Sequence, residues 1–452
     1  MKEKVEGSEK VIGPLRRLLK GRAGAYEIFY SVDTGFGVEA KDARVDSLKL
    51  RSNEGVGLRT ISGGRQGFGF SSVLTEDALE DLVKKTIGGS AEAAKDEFLS
   101  FPGPAEKAAS EEALRLYDGS FEKTPEEEKI KTALDIEKSA RAFDARVKRV
   151  RKASYSESVH FSRIVNSNGV DTSHRATFYS GSVTAVAEKD NESEMGWEIG
   201  MGHDRNSVEP GKIGRGAAEN AVRLLGARKL KTIKCPAVIE NTVACEFLES
   251  LAGSFLGDNV IKGKSMLIGK AGKKVASAKL NIFDDGILPG GWASSSFDGE
   301  GAGRGRTALL EAGVCRAFLY DTYWAARAKT RSTGNSARSN FKSYPGIGIS
   351  NLYIEKGEKD AKELLKDVSK GLFITEVLGV HTINPVSGDF SLGASGFWVE
   401  GGGAEYPVRG MAISGNLLDL FSKVDGCASD IRFIGSIGAP SLLINEIEAS
   451  GT

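Results

Sequence analysis

The spacing of apolar and polar positions in the first part of the chain predicts one helix followed by several strands. Apolar residues recur at helical spacing over residues 9–20, although Pro14 interrupts the pattern early. Alternating β-prone segments follow at 25–32 and 46–52. Residues 55–72 indicate two strands joined by a glycine turn. The chain therefore opens with mixed α and β structure.

Three more helices are predicted from their start signals and their periodicity. Thr75 is followed by two acidic residues, which is typical of a helix N-terminus, and this helix extends toward residue 95. Thr124 and Pro125 precede glutamates placed for a capping box, so a helix should run to about Phe143. A further amphipathic helix is predicted over 212–225.

Residues 148–187 read as a β-hairpin, which bears on two of the four histidines. With Asn168-Gly169 as a two-residue type I′ turn, His160 would face Thr177. His174 would then lie an odd number of positions from His160 along the strand, so the two imidazoles should point to opposite faces. This register gives no support for a histidine-based zinc site.

The second half of the chain contains fewer helices. A short strand is predicted at 236–241, a helix from Thr242 to about Leu256, and a charged helix near 358–370. Helices and strands alternate without a regular βαβ rhythm, which favours an α+β fold over a doubly wound sheet.

A chain of 452 residues is too long for one compact core, so several domains are expected. The basic stretch at 226–234 has little apolar periodicity and marks one boundary. We predict an N-terminal α/β subdomain over 1–100, a second α/β subdomain with the hairpin over 101–228, and a β-rich C-terminal domain over 229–452.

Composition argues against some classes of function and indicates the cellular compartment. Lys+Arg and Asp+Glu both number 61, so bulk electrostatics gives no basis for nucleic-acid binding. The N-terminus has no apolar signal region and no run of 18 apolar residues occurs, so no membrane association is expected. The four cysteines are widely spaced, which fits a reduced cytoplasmic protein.

Few residues carry recognisable chemistry. No histidine pair has the spacing of H-E-x-x-H, and no G-x-S-x-G is present. The glycine-rich stretch at 257–265 departs from P-loop spacing and follows a predicted helix. Acidic residues within glycine-rich loops could bind a hard cation, act as an acid/base pair or organise turns; they are Asp284, Asp285, Asp298 and Glu300.

A series of segments in the second half resembles the TldD/PmbA family. The matching segments, in the same order, are FLESLAGSFLGDNV (247–260), GKSMLIGKAGKKV (263–275), LNIFDDG (280–286), SSSFDGEG (294–301), RSTGNSAR (331–338), the run at 384–421 and IGAPSLLI (437–444). The earlier segment EGVGLRTISGGRQGFGFSS (54–72) is similar to the glycine signature at the N-terminus of that family. The resemblance implies a mixed α/β N-terminal part and a β-rich C-terminal domain.

The family has two branches, and the resemblance assigns this chain to the PmbA/TldE branch. TldD-like members carry an H-E-x-x-x-H zinc motif on the corresponding helix and a cysteine ligand near the C-terminus. Here Glu249, Ser250 and Ser254 occupy the motif positions, and Cys427 lies too early to match that ligand. The resemblance therefore implies no metal and no catalytic residue in this chain, with zinc only in a TldD-like partner.

The resemblance also implies partners. The chain is expected to form a heterodimer with a TldD-like metalloprotease subunit that acts on small or unfolded polypeptides. When alone it could form a homodimer, because a surface built for a related subunit can pair with itself. Peptide is expected to add to a sheet edge, at residues His381, Asn384, Gly388, Asp389, Phe390, Ser391 and Asn416.

Two alternatives remain open at the level of sequence. The chain could be an autonomous hydrolase that uses Asp298, Glu300 and His381. It could instead be a regulatory scaffold, as the family label "modulator of DNA gyrase" suggests. Activity of the pure chain would favour the first, and a stable complex without proteolysis the second.

Overall fold

The computed structural model describes residues 2–105 and 108–451. The helices of its first half are α1 (Lys2–Leu19), α2 (Glu76–Glu92), α3 (Glu111–Leu114), α4 (Glu126–Phe143) and α5 (Pro210–Arg223). The strands are β1 (Ala25–Lys41), β2 (Arg44–Ser62), β3 (Arg65–Ser71), β4 (Val147–Asn166), β5 (Asp171–Lys189) and β6 (Glu192–Gly202).

These six strands form one antiparallel sheet in the order β3-β2-β1-β4-β5-β6, so both predicted N-terminal subdomains contribute to the same sheet. Side chains alternate between its faces. On one face, Ile28 and Tyr30 pack with α1 and α2, while Phe36 and Val38 pack with α4 and α5. The long strand β1 thus supports two separate helical layers.

Helix α1 is longer than the periodicity predicted. It begins at Lys2 and continues through Pro14 to Leu19. Val11 and Leu15 are buried on either side of the proline. The apolar stripe therefore continues across the proline, which removes a helical hydrogen bond without ending the helix.

The register predicted for the β4–β5 hairpin is wrong. The turn spans residues 167–170, and the Asn166 amide donates to the Val170 carbonyl at 3.0 Å. His160 therefore pairs with Ala176 rather than Thr177. This shift of one residue brings His160 and His174 to the same face, with ring centroids 6.3 Å apart.

The helices of the second half are α6 (Asn241–Ala252), α7 (Gly257–Ile261), α8 (Thr322–Arg327), α9 (Ala361–Lys366) and α10 (Leu417–Ser422). Its strands are β7 (Ile233–Ile239), β8 (Ile282–Asp285), β9 (Arg306–Glu311), β10 (Val314–Cys315), β11 (Ser336–Ala337), β12 (Gly346–Ile347), β13 (Leu352–Ile354), β14 (Lys370–Leu378), β15 (Asp389–Glu400), β16 (Gly403–Asn416), β17 (Val424–Cys427), β18 (Arg432–Ile434), β19 (Ile437–Ala439) and β20 (Leu442–Ser450).

The C-terminal strands form two six-stranded sheets and one small pair. One sheet has the order β10-β9-β8-β13-β19-β18, and the other has the order β16-β15-β14-β7-β20-β17. The second sheet closes on itself because β16 also pairs with β20. Helix α6 contributes to a core shared by both sheets. The predicted α+β class with a β-rich C-terminal part is confirmed.

The open face of the first sheet is joined to the C-terminal part by a buried contact. Phe29 packs there with Phe297 and Phe341. Arg59 donates to Glu27 in its own sheet and to Glu300 across the junction, the latter at 3.0 Å. These contacts place the N-terminal sheet against the C-terminal domain.

Among the helices of the described residues, none combines the length and the apolar character needed to cross a membrane.

Candidate functional site

Helix α6 lies where the family resemblance implies a zinc-binding helix, and it has an apolar and a polar side. Val243 and Phe247 recur at helical spacing and are buried in the C-terminal core. On the polar side, Glu246 is half-buried and Glu249 is exposed. A 3-10 turn at 253–255 follows the helix.

The residues at the zinc-motif positions serve the local fold. The Ser250 hydroxyl donates to the Glu246 carbonyl at 3.0 Å. Ser254 is buried, and its Oγ accepts the Met266 amide at 3.3 Å. Together with Glu249, these positions supply one carboxylate and two hydroxyls, whereas zinc in proteins is bound by imidazole, thiolate and carboxylate groups.

The donor set around α6 does not fit a zinc ion. Over residues 2–105 and 108–451, no three or more His, Cys, Asp or Glu side chains are arranged so that they could hold a metal. The thiol on α6 itself is that of Cys245, which donates to the Arg432 carbonyl at 3.4 Å and to the Ile437 carbonyl at 3.7 Å. Burial raises the pKa of Cys245 to about 12 and that of Cys427 to about 11, so both thiols are neutral near pH 7.

A cleft of about 660 Å³ opens along the polar side of α6. Helix α5 and strand β6 form one wall, and α6 and β14 form the other. Two of its carboxylates are neutralised: Arg223 donates two hydrogen bonds of 2.8 Å to Glu240, and Arg432 pairs with Glu198. The charge of the cleft is therefore set by its remaining acidic groups.

The remaining acidic groups are Glu246, Glu376, the exposed Glu219, and Asp430, which accepts the Ser441 hydroxyl at 2.7 Å. Within the described chain, the Glu246 carboxylate has no hydrogen-bond or ion-pair partner. Burial, followed by repulsion from Glu249 and Glu376, raises the pKa of Glu246 to about 7. Burial also raises the pKa of Glu376, which accepts a hydrogen bond from Ser395. Glu246 and Glu376 are thus two half-buried carboxylates of the cleft that no cation neutralises directly.

Large apolar side chains line the same cleft as these carboxylates. Met195 and Trp197 on β6 are 52% and 45% exposed, and Leu378 on β14 is 60% exposed. All three line the cleft. A group of exposed apolar side chains beside convergent polar groups is typical of a binding site.

The residues predicted to bind peptide lie on a neighbouring part of the same domain. The Asn416 amide donates to the Ser387 carbonyl at 2.7 Å and to Asp389 at 3.0 Å. The Asn384 side chain accepts the amides of Val386 and Ser387. The structure therefore brings Asn384, Asp389 and Asn416 together, but it uses their side chains to build the β14–β15 turn.

The other four predicted residues divide between surface and core. His381 and Ser391 are exposed, whereas Gly388 and Phe390 are buried. Gly388 has a φ of +83°, and a Cβ there would lie 2.6 Å from the Met266 sulfur. The Phe390 ring packs on Phe247 at a centroid distance of 5.6 Å. A role in peptide binding for all seven residues remains a prediction.

The acidic residues predicted in glycine-rich loops are buried hydrogen-bond acceptors, but Asp284 and Asp285 lie at the end of strand β8 rather than in a loop. Asp284 accepts the Asn335 amide group and the Ser350 hydroxyl at 2.7 and 2.6 Å. Asp298 accepts backbone amides that include that of Ser336 at 2.9 Å. Asp285 accepts a single amide within its own turn. These contacts fit the interpretation in which aspartates organise turns.

The groups proposed for an autonomous hydrolase do not form a site in the described residues. Glu300 is held by Arg59 and by the Thr322 amide, and no hydrogen bond or ion pair links it or Asp298 to His381. Burial and repulsion from Glu300 raise the pKa of Asp298. The P-loop-like stretch begins as helix α7 directly after a 3-10 turn, not after a strand, which excludes the phosphate-binding geometry.

Sequence reasoning missed Glu246 and Glu376 as a pair. Glu246 lies about one helical turn before Glu249, so its position on the polar side of α6 could be predicted from the sequence. Glu376 comes from a distant strand, and only the parallel pairing of β14 with β7 brings it to α6. No local pattern in the sequence marks that pairing.

Three segments of the chain match models of PmbA/TldA metallopeptidase domains. The first domain matches residues 26–94, the central domain 119–225 and the C-terminal domain 232–451. Metalloprotease PmbA of Escherichia coli O157:H7 is 26% identical over 449 residues, which is 98% of this chain and 96% of that protein. A metalloprotease TldD homolog of Buchnera aphidicola is 24% identical over 434 residues, covering 89% and 87%.

Two solved structures share the whole architecture. A Thermotoga maritima protein, described as a candidate modulator of a DNA gyrase, superposes with a TM-score of 0.90. It is 28% identical and covers 98% of this chain and 100% of its own. TldE from Thermococcus kodakarensis has a TM-score of 0.88 at 20% identity, with coverage of 98% and 100%, and so shows the fold alone.

The three matched segments together define a protein with the three domains of the PmbA/TldA metallopeptidases. The chain belongs to the PmbA/TldD family, as its sequence segments predicted.

Proposed function

We propose that this chain is the metal-free, peptide-binding subunit of a cytoplasmic TldD/TldE-type zinc metalloprotease that degrades or matures small unfolded polypeptides. One observation carries the proposal: Glu249 and Ser250 on α6, and Ser254 in the turn that follows it, stand at the zinc-motif positions, and the serines make local hydrogen bonds. This arrangement leaves the helix without the ligands that zinc chemistry requires. The four free cysteines suit a reducing compartment.

The proposed partner is a TldD-like subunit, which would hold the zinc and supply the chemistry of peptide hydrolysis. Relatives named PmbA and TldD both align over most of this chain. Two subunits of related fold can associate about an approximate two-fold axis and enclose a shared cleft. This chain would then contribute substrate binding on its side of the complex.

A size-exclusion experiment with metal analysis tests this proposal. The chain alone, a TldD-like subunit from the same source, and their mixture are separated, and zinc is quantified in each protein peak. We expect no stoichiometric zinc in this chain alone and one zinc per heterodimer in a co-eluting complex. Stoichiometric zinc in the isolated chain, or no co-elution at any ratio, contradicts the proposal.

A further inference from the structure

Strand β14 presents an unpaired edge in the cleft along α6. It pairs with β15 from Lys370 to Leu378, apart from a bulge at Thr375. On the other side it pairs with β7 only as far as Ile374, where the Glu240 amide donates to the Ile374 carbonyl at 2.9 Å. No described strand pairs with residues 375–378 on that side. An open strand edge of this kind can accept an extended peptide through main-chain hydrogen bonds.

The open edge begins at a β-bulge with an unpartnered hydroxyl. Thr375 is the bulged residue, because Ile374 pairs with Gly396 and Glu376 pairs with Ser395. Thr375 lines the cleft, is 7% exposed, and its Oγ1 has no hydrogen-bond partner among the described atoms. A buried hydroxyl without a partner is rare in folded proteins, and a bound ligand is one way to satisfy it.

The side chains around this edge favour one class of ligand. Glu246 and Glu376 lie on facing elements of the cleft and have no arginine partner, whereas Arg223 and Arg432 are already paired with Glu240 and Glu198. An ammonium or guanidinium group placed between these two carboxylates would neutralise them. The exposed apolar side chains of β6 and β14 would cover the aliphatic stem of a long cationic residue.

We infer that the cleft binds an extended peptide segment as an added strand on the edge of β14, with a lysine or arginine side chain placed on Glu246 and Glu376. This inference deepens the proposed function, on which it rests, by naming the chemistry of the substrate segment. The occupant is a peptide and not a free amine, because the edge offers backbone groups that only a peptide can pair. A nucleic acid is excluded by the charge of the cleft.

Binding measured on the isolated full-length chain tests this inference. The probes are two capped, unstructured octapeptides that are identical except for one central residue, lysine in one and acetyl-lysine in the other. We expect the lysine peptide to bind about tenfold more tightly, the effect of about 1.4 kcal/mol from a partly buried charge pair. Equal affinities for the two peptides would show that Glu246 and Glu376 do not bind the lysine side chain.

Conservative variants locate the site. Glu246→Gln and Glu376→Gln should each reduce the preference for lysine, and the double variant should abolish it. Glu405→Gln removes an exposed carboxylate of β16 outside the cleft and should leave the preference unchanged. A preference that persists in the double variant would place the peptide elsewhere.

Two further probes distinguish strand addition from binding of the cationic group alone. Alternate N-methylation of the lysine peptide removes backbone donors, so it should abolish binding if the peptide pairs with β14. Lysinamide, a free cationic amine, should compete only weakly; competition as strong as that of the peptide would refute the added strand. Thr375→Val should weaken peptide binding while leaving or raising the unfolding temperature, because it removes an unpartnered hydroxyl.

Failure of this inference is distinguishable from failure of the proposed function. Peptide binding to the isolated chain requires neither zinc nor a partner. If the chain assembles with a zinc-bearing subunit but shows no lysine preference, the proposed function stands and the inference is wrong. If the chain prefers lysine peptides but never assembles with a zinc-bearing subunit, the inference stands and the proposed function is contradicted.

Discussion

Arg59 on β2 donates a hydrogen bond of 3.0 Å to Glu300, and this ion pair joins the N-terminal sheet to the C-terminal domain. Both side chains are almost fully buried, at 4% and 3% exposure. Arg59 also binds Glu27, which receives a second arginine, Arg338, from the C-terminal side. Burial alone would raise the pKa of Glu27, but the two arginines outweigh it and lower that pKa.

Replacing Arg59 by methionine should strongly destabilise the chain. Methionine keeps an apolar stem but removes the positive charge beside the buried carboxylates of Glu27 and Glu300. Removing one partner of a buried ion pair typically lowers the free energy of unfolding by about 3–5 kcal/mol. Scanning calorimetry should therefore show a lower unfolding temperature. The matched control is Arg149→Met, whose exposed ion pair with Glu188 should contribute at most about 1 kcal/mol. Equal effects of the two substitutions would contradict this account of the junction.

Two glycine substitutions should act in opposite directions. A Cβ on Gly57 would lie 2.5 Å from the Phe341 carbonyl oxygen, so Gly57→Ala should push β2 away from the C-terminal domain. Gly88 lies within α2 and has no atom within 4 Å of such a Cβ. Gly88→Ala should raise stability by about 0.5–1 kcal/mol, because alanine favours the helix. Unfolding temperatures measure both; a stable Gly57→Ala protein would refute the close approach.

Acid should destabilise the fold through His174. Burial, followed by the charges of His160, Arg304 and His203, lowers the pKa of His174 to about 3. The unfolded chain binds this proton near its ordinary pKa of about 6.5, so it binds more protons than the folded chain between the two values. Stability should therefore fall as the pH drops from about 6.5 toward 3.

The contribution of His174 to this pH dependence is separable from that of other groups. His174→Gln should flatten the loss of stability between pH 6.5 and 4, measured as the change in unfolding temperature with pH. His381→Gln, at an exposed histidine, should leave the curve unchanged. An unaltered slope in the His174 variant would show that another group controls the acid sensitivity.

The sequence predicted those parts of the fold that depend on local patterns. Helix α6 was placed within a few residues of its observed bounds, and the glycine turn at Gly63-Gly64 has the positive φ values that such a turn requires. The β4–β5 register was missed by one residue because the loop is longer than Asn168-Gly169 suggested. That single shift moved His160 and His174 to one face.

The composition of the cleft could not be predicted from local patterns. Glu246 and Glu376 meet only because β14 pairs with β7 directly before α6, and pairing between distant strands is decided by tertiary packing. The absence of zinc ligands on α6 could be read from the chain, because it depends on residue identity at three positions. The sequence thus indicated that the motif positions carry no histidine, and the structure revealed which carboxylates lie beside the helix.

The most direct test of the central claim is a cleavage assay on an unfolded polypeptide with this chain, a TldD-like subunit from the same source, and their mixture. We expect cleavage only by the mixture, and its loss when a zinc-binding histidine of the TldD-like subunit is replaced. Replacing Glu249 of this chain by glutamine should leave cleavage intact, because Glu249 holds no metal in this account. Cleavage by this chain alone after stringent purification, or cleavage that survives the histidine replacement, would contradict it.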